Sequence, residues 1–511
     1  MLALRFFYIV CGLLLTTTVY AQNIDDLLIS ANGKLKKKDY RGALTEYNEV
    51  LAREPQNPRG LEGRAIVQLE SGNLPAAIDD VNRWLRIEQN NHRGYAYRGL
   101  IKSEMGDTDG GLRDLDRAIA LEPKFAEAFY YRGSIKQGLG DTKGAIADLE
   151  RSIAAKPEFD QAYQDIIGLY LERGEVDKAM PYLQKSMELN PKKKENYATR
   201  GMILAKQKKV TEAEADFTKA IELDSADADA YYQRGLLLKA QQKYEEALND
   251  FTKAVQLKKE FELAYYERAT MQNLLGNYKE AVNDYRRVME LNPFNPNVYY
   301  DAATASLNME DYRSAEQYFS SSLSYNYGDV EATYYRGIAR SHLKDYKGAD
   351  YDFSRAITSN YKDVNVYKER ALVRMALSRY DQAASDWTKY IEKNPQDAPA
   401  FYFRGVCYFK QFQYDKAITS FDEAIKLVPD YENALFDRAA ARANAKNYDG
   451  AIADYDKVLQ LDPQYAAAYY NRGRVKLDSK KQDEGCNDIR KAIELQYKPD
   501  EKVLKKLNCS L

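Results

Sequence analysis

The sequence predicts an all-α solenoid of fourteen helix-turn-helix units, each 34 residues long. Three observations carry this. Pro55, Pro123, Pro157, Pro191, Pro293, Pro395, Pro429 and Pro463 fall on one 34-residue grid, which runs from Ile24 to Pro499 without insertion or deletion. When the positions of each unit are numbered as slots 1 to 34, slot 20 holds only alanine or glycine, from Ala43 to Gly485. Side chains that small are what two closely packed helices require. Finally, the residues at slots 20, 21, 24, 27 and 28 have the spacing of one helix face.

The elements follow in chain order. Residues 1–21 read as a secretory signal. Arg5 is a minimal basic start, Phe6 to Leu15 is an apolar run too short to span a bilayer comfortably, and Val19 and Ala21 are the small residues that signal peptidase needs. The mature chain is expected to begin at Gln22 and to be soluble in an oxidising compartment: the periplasm, or outside the cell as the alternative. Cys11 lies inside the apolar run, not at its end, which argues against a lipid anchor. No later stretch is apolar enough for a transmembrane helix. The solenoid is expected over 22–499, with its repeat register at 24–499. The first helix of a unit carries a small residue at slot 8, as in Gly99, Gly235, Gly337 and Gly405. A turn near slot 15 precedes tyrosine at slot 17 in eight units, among them Tyr244, Tyr278 and Tyr312. The second helix has a large apolar residue at slot 24, as in Phe217, Phe251, Phe353, Trp387 and Phe421. Residues 500–511 place Val503, Leu504, Leu507 and Leu511 on one helical stripe, so they are expected to form the helix that caps the last unit.

An aromatic at slot 4, small residues at 8 and 20, tyrosine at 17, an aromatic at 24, a frequent small residue at 27 and proline at 32 make the repeat resemble the tetratricopeptide repeat family. The resemblance covers everything after the signal except the last 12 residues. It implies a right-handed superhelix whose first helices line a concave face, and a protein that binds peptide or protein partners.

One column departs from the family pattern. Slot 7, usually apolar, is arginine in eleven units: Arg64, Arg98, Arg132, Arg200, Arg234, Arg268, Arg336, Arg370, Arg404, Arg438 and Arg472. Slot 23 is aspartate in ten of those eleven, and Arg404 is instead matched with Ser420. The units without the arginine have Ser30 with Glu46, Ile166 with Tyr182 and Ala302 with Tyr318, so the two slots switch together within a unit. This predicts an ion pair between the two helices of one unit. An arginine ladder for an anionic ligand is the competing reading, weakened because each arginine brings its own carboxylate.

The composition restricts function. The formal charge is -2 and the basic runs Lys36–Lys38 and Lys192–Lys194 are short, which argues against nucleic acid as a ligand. Two distant histidines and no Cys-x-x-Cys leave no metal site legible by spacing. No phosphate-cradling loop, dinucleotide fingerprint or nucleophile elbow occurs, and no residues remain outside the repeats for a catalytic domain. The expectation is therefore a non-catalytic protein-interaction scaffold of the cell envelope, without cofactor, whose oligomeric state the sequence does not give. The alternatives are a glycan-binding component of an uptake system and an endoplasmic-reticulum co-chaperone. The first usually carries a lipid anchor and long insertions. The second usually carries an appended recruiting domain, and lysine and asparagine at slots 5 and 9.

Two further expectations concern particular residues. Slot 21 of one unit is expected to pack on slot 10 of the next, which puts Cys486 opposite Cys509 in the tail and predicts a disulfide, with two buried thiols in contact as the alternative. By the same rule Cys407 faces Ala384 as a lone core thiol. Slots 5, 9 and 12 share a stripe of the first helix. Between units 10 and 12 this stripe becomes Tyr334, Ile338, Lys368, Leu372, Met375, Tyr402, Val406 and Phe409, flanked by His342 and Lys410. These residues are the candidate partner site, suited to a peptide with apolar and acidic groups. The competing reading is that slots 9 and 12 bury against neighbouring first helices.

Overall fold

The computed structural model describes residues 23–499 and Cys509. The expected signal at 1–21 and most of the expected capping helix at 500–511 lie outside the described residues. Among the described residues there are twenty-eight helices and no strand. They alternate as the repeat requires, from Ile24–Lys36 and Tyr40–Arg53 in unit 1 to Ala466–Asp478 and Gln482–Glu494 in unit 14. First helices pack on the second helix of their own unit, and in unit 7 Gly235 faces the Phe251 ring. The helices fall into two compact bodies, one up to Ala230 and one from Tyr231.

The repeat is written into the turns as much as the helices. Slot 15 takes positive φ in every unit, at Gly72, Gly106, Gly140, Gly174 and Gly276 but also at Lys38, Lys344, Phe412 and others. This left-handed residue ends the first helix, and the next residue caps the second. The Asp39, Asp107, Asp141 and Asp345 side chains each accept a hydrogen bond from the backbone N–H three residues on, at 2.9–3.0 Å.

Within each body the core follows the predicted slots. The slot-20 alanines are fully buried, and so are the slot-24 rings Phe217, Phe251, Phe319, Phe353, Trp387, Phe421 and Tyr455. Slot 8 is small because it faces that ring: a Cβ on Gly337 would stand 2.7 Å from Phe353, and one on Gly405 2.6 Å from Phe421. Cys407 is a buried free thiol in the same cluster as Ala384.

The predicted ion pair is present in all ten arginine–aspartate units. In unit 10, Arg336 donates from Nε and Nη2 to the two oxygens of Asp352 at 2.9 and 2.7 Å, and Asp352 is wholly buried. The same fork joins Arg64 to Asp80, Arg132 to Asp148 and Arg472 to Asp488. In several units slot 11 adds a second cation, as when Arg340 reaches Asp352 at 2.8 Å and Lys136 reaches Asp148 at 2.7 Å. The remaining nitrogen has a role that pairing slots 7 and 23 does not reveal. Nη1 reaches back to slot 25 of the preceding unit: Asn48 from Arg64, Asp116 from Arg132, Ser320 from Arg336 and Asp456 from Arg472. Units 5 and 9 keep this backward link with other chemistry. Tyr182 donates its hydroxyl to Glu150 at 2.8 Å, and Tyr318 accepts from Arg286 at 2.9 Å; both partners are at slot 25 of the preceding unit. In the units with this backward bond the arginine thus clamps its own helix pair and ties it to the unit before.

Candidate partner-binding site

The stripe of first-helix residues in units 10–12 is less uniform than its sequence suggests. Tyr334 is only 8% exposed, which corrects its assignment to an accessible patch. Its ring stacks on Tyr361 at 4.6 Å and packs against Phe353. The cause is local. Slot 32 of this unit is tyrosine instead of proline, and its ring closes over slot 5. Tyr470 is covered by Tyr497 in the same way, while Tyr402 and Phe436 lean on Tyr431 and Tyr465 two slots further on. Much of the tyrosine at slot 5 is therefore packed on the loop that closes its own unit. Ile338 is half-buried in the cluster of Tyr334.

The other residues lie further along the second body. Leu372 is 36% exposed. Met375 is half-buried, and its sulfur accepts from Trp387 Nε1 at 3.4 Å. Met375 and Tyr402 edge one core cluster, and Tyr402, Val406 and Phe409 edge another, all half-buried. Tyr402 is thus the link between Met375 and Phe409, whereas Tyr334 and Ile338 belong to a separate cluster. Of the flanking cations, Lys368 is half-buried and lies 5.9 Å from the Tyr390 ring. His342 and Lys410 are exposed, and His342 lies parallel to Tyr312 at 4.1 Å.

The sequence reading missed slot 6. This column carries Glu267, Asp301, Glu369 and Asp437, on the same broad face as slots 2, 9 and 13 by helical spacing. Glu267 is paired with Lys239 at 2.6 Å. Asp301 accepts the Tyr266 hydroxyl at 2.5 Å, and Asp437 accepts the Tyr402 hydroxyl at 2.9 Å, each tyrosine reaching from slot 5 of the preceding unit. Among the described residues neither carboxylate has a cation in ion-pair contact, and neither has Glu369. Burial pushes all three carboxyls above their ordinary range, and the pull of Lys368 and His342 on Glu369, or of Lys410 on Asp437, does not offset it. Two slot-23 aspartates, Asp114 and Asp148, behave oppositely. Burial also acts upward on Asp148, but the hydrogen bonds of Arg132 and Lys136 outweigh it and hold the carboxyl low. The first-helix face of the second body thus presents half-buried carboxylates between aromatic and aliphatic side chains. Where slots 9 and 12 shrink to Ala440 and Ala443, a cavity of about 230 Å³ opens beside Asn444, Asn471, Arg474 and Asp478.

Among the described residues no cluster of histidine, cysteine and carboxylate side chains could hold a metal, and no helix is long and apolar enough to cross a membrane. Cys486 and Cys509 are joined with their sulfurs 1.93 Å apart, and Cys509 packs on the cluster of Tyr470, Ile489 and Ala492.

Family comparisons give one consistent result. The tetratricopeptide repeat matches at residues 30–92, 300–361 and 368–432, again at 137–199 and 228–261, and at 263–295 and 466–499. A further TPR repeat description matches 201–242 and 444–478. No curated protein matches the chain. Among solved structures, the APC/C hetero-tetramer Cut9–Hcn1 is similar at 16% identity over 96% of both chains, with a TM-score of 0.38. MamA is similar at 29% identity over 32% of this chain and 95% of its own, with a TM-score of 0.27. YrrB, described as a TPR protein with an unusual peptide-binding site, is similar at 26% identity over 43% of this chain and 95% of its own, with a TM-score of 0.25.

Proposed function

The chain belongs to the tetratricopeptide repeat family, and from that premise we propose that it is a non-catalytic scaffold of the cell envelope that holds a peptide segment of a partner protein against its first helices. The site runs from Asp301 to Asp437, with Leu372, Met375, Tyr402, Val406 and Phe409 as its apolar contacts. The observation that supports this most is the company those side chains keep. Each buried slot-23 aspartate comes with its arginine, while Asp301, Glu369 and Asp437 on this one face have no contacting cation among the described residues. Half-buried carboxylates gain more from an incoming cation than solvated ones do. The partner segment therefore carries lysine or arginine beside its apolar groups. This revises the acidic partner expected from Lys368, His342 and Lys410, two of which are solvated.

The test is selection of peptides from a random display library on the full chain, followed by affinity measurement on variants. Peptides rich in basic and apolar residues are expected. They should bind Tyr402→Ala/Phe409→Ala and Glu369→Gln/Asp437→Asn at least about tenfold more weakly, with circular dichroism unchanged. Peptides rich in acidic residues would remove the basic partner. Peptides indifferent to both double variants would remove the site.

A further inference from the structure

Arg404 breaks a rule that the rest of the molecule keeps. Ten slot-7 arginines each grip an aspartate of their own unit through two nitrogens. In unit 12 the first helix is Ala398–Lys410 and the second is Tyr414–Leu427. Here slot 23 is Ser420, and Arg404 makes a single contact with its hydroxyl, from Nε at 3.3 Å. That hydroxyl is itself engaged with the Lys416 carbonyl at 2.9 Å. The other two usual neighbours are also changed. Slot 11, lysine or arginine in several units, is Tyr408. Slot 25 of the preceding unit is Thr388, whose hydroxyl is committed to the Ala384 carbonyl at 2.9 Å. Among the described residues no carboxylate lies within ion-pair distance of the Arg404 guanidinium; Glu423 and Tyr408 act on it only from further off, and the Phe401 ring lies 5.2 Å away.

The result is a half-buried cation beside a serine, where the sister units bury a cation beside a carboxylate. Burial pushes the Arg404 guanidinium below its ordinary value, whereas the Asp148 hydrogen bonds raise Arg132. A buried charge without its partner is costly, and a guanidinium fork is matched to one planar carboxylate. Ser420 is smaller than aspartate and leaves the two terminal nitrogens undirected, while Arg404 keeps enough exposure to be reached from solvent. We propose that Arg404 is a carboxylate-binding site, seating the carboxylate of a ligand where the sister units place their own aspartate. Slot 7 is roughly opposite slots 5, 9 and 12 around the helix, so this site is separate from the first-helix face and does not depend on it. The carboxylate can come from a small free acid or from an aspartate or glutamate side chain of a partner.

The experiment is thermal unfolding of the full chain in sodium acetate, N-acetyl-aspartyl amide or sodium chloride at matched ionic strength. The wild type and the variants Ser420→Asp and Arg404→Met are compared. Both carboxylates should raise the wild-type melting temperature above its value in chloride, by mass action on the folded state. The effect should vanish in both variants, and Ser420→Asp alone should melt at least about 2 °C higher than wild type. A stronger response to the aspartyl amide than to acetate assigns the site to a partner side chain; an equal response assigns it to a free acid. If wild type melts alike in carboxylate and chloride, there is no such site, even if Ser420→Asp is stabilised. A carboxylate response that survives in Arg404→Met overturns the assignment as well, and this variant decides the matter should Ser420→Asp not fold.

Discussion

Asp352 shows how much one side chain carries. It is wholly buried, it meets Arg336 and Arg340, and removing it strands Arg336, while Arg340 keeps Glu316 at 2.9 Å. Asp352→Ala is expected to cost about 3–5 kcal/mol, whereas the double replacement Arg336→Met/Asp352→Leu is expected to cost far less, because no charge is left unpaired. An exposed pair such as Lys185–Glu188 should contribute far less than this buried one. Hydrogen exchange of the amides of each unit reads these differences locally, which suits an array that need not unfold in one step. The two kinds of carboxylate also predict opposite pH responses. The Asp148 carboxyl is held below its ordinary value in the folded chain, so its contribution is complete above the unfolded value and is lost as pH falls through the folded one. Asp148→Asn should therefore be less stable than wild type at neutral pH, with the gap closing below about pH 3.9. The Asp437 carboxyl is raised, so its ionised form costs stability at neutral pH, and that cost disappears as pH falls through the folded value. Asp437→Asn should match or exceed wild type at neutral pH, with no advantage in acid. A loss of stability in Asp437→Asn at neutral pH would mean that the carboxylate is structural.

At the scale of the element, the turn between helices imposes one conformation on every residue that falls there. Slot 15 is left-handed whether it holds glycine, lysine or phenylalanine. A side chain pays for that conformation where glycine does not. Phe412 sits at φ 61° with 77% of its surface exposed and little packing to lose. Phe412→Gly is expected to stabilise unit 12 by about 1 kcal/mol, and Gly140→Ala to destabilise unit 4 by a similar amount. Denaturant midpoints of the two variants check the signs. Elements were the most legible part of the sequence, because slots 8, 20 and 24 recur often enough to expose the packing. The pairing of slots 7 and 23 was legible for the same reason, since both change together in units 5 and 9. The link to slot 25 was not legible. That column mixes asparagine, aspartate, serine, glutamate and arginine, and its regularity is one of position, not residue type. The burial of Tyr334 was equally hidden, because it depends on Tyr361 in a slot that proline usually holds. Slot 6 escaped because the stripe was drawn through slots 5, 9 and 12 alone, and a half-buried carboxylate is indistinguishable from a solvated one in sequence.

For the whole molecule, the repeat makes stability a sum of unit and neighbour contributions, and the end of the array is where a covalent tie helps most. Cys486 and Cys509 are 23 residues apart, and a loop of that size is worth about 3 kcal/mol when closed. Chain recovered from the cell envelope should begin at Gln22 and give a Cys486–Cys509 linked peptide on non-reducing mapping, with Cys407 alkylated only after unfolding. Three free thiols, or a chain that retains residues 1–21, would contradict export to an oxidising compartment. The most direct test of the scaffold function is site-specific photocross-linking in living cells. A photoreactive residue at Leu372, on the first-helix face, should give one discrete adduct, lost when Tyr402→Ala/Phe409→Ala is added. The same residue at Lys389, exposed on the second helix of unit 11, should give none. Adducts from Lys389 but not Leu372, or a Leu372 adduct untouched by the double variant, would show that the partner is held elsewhere.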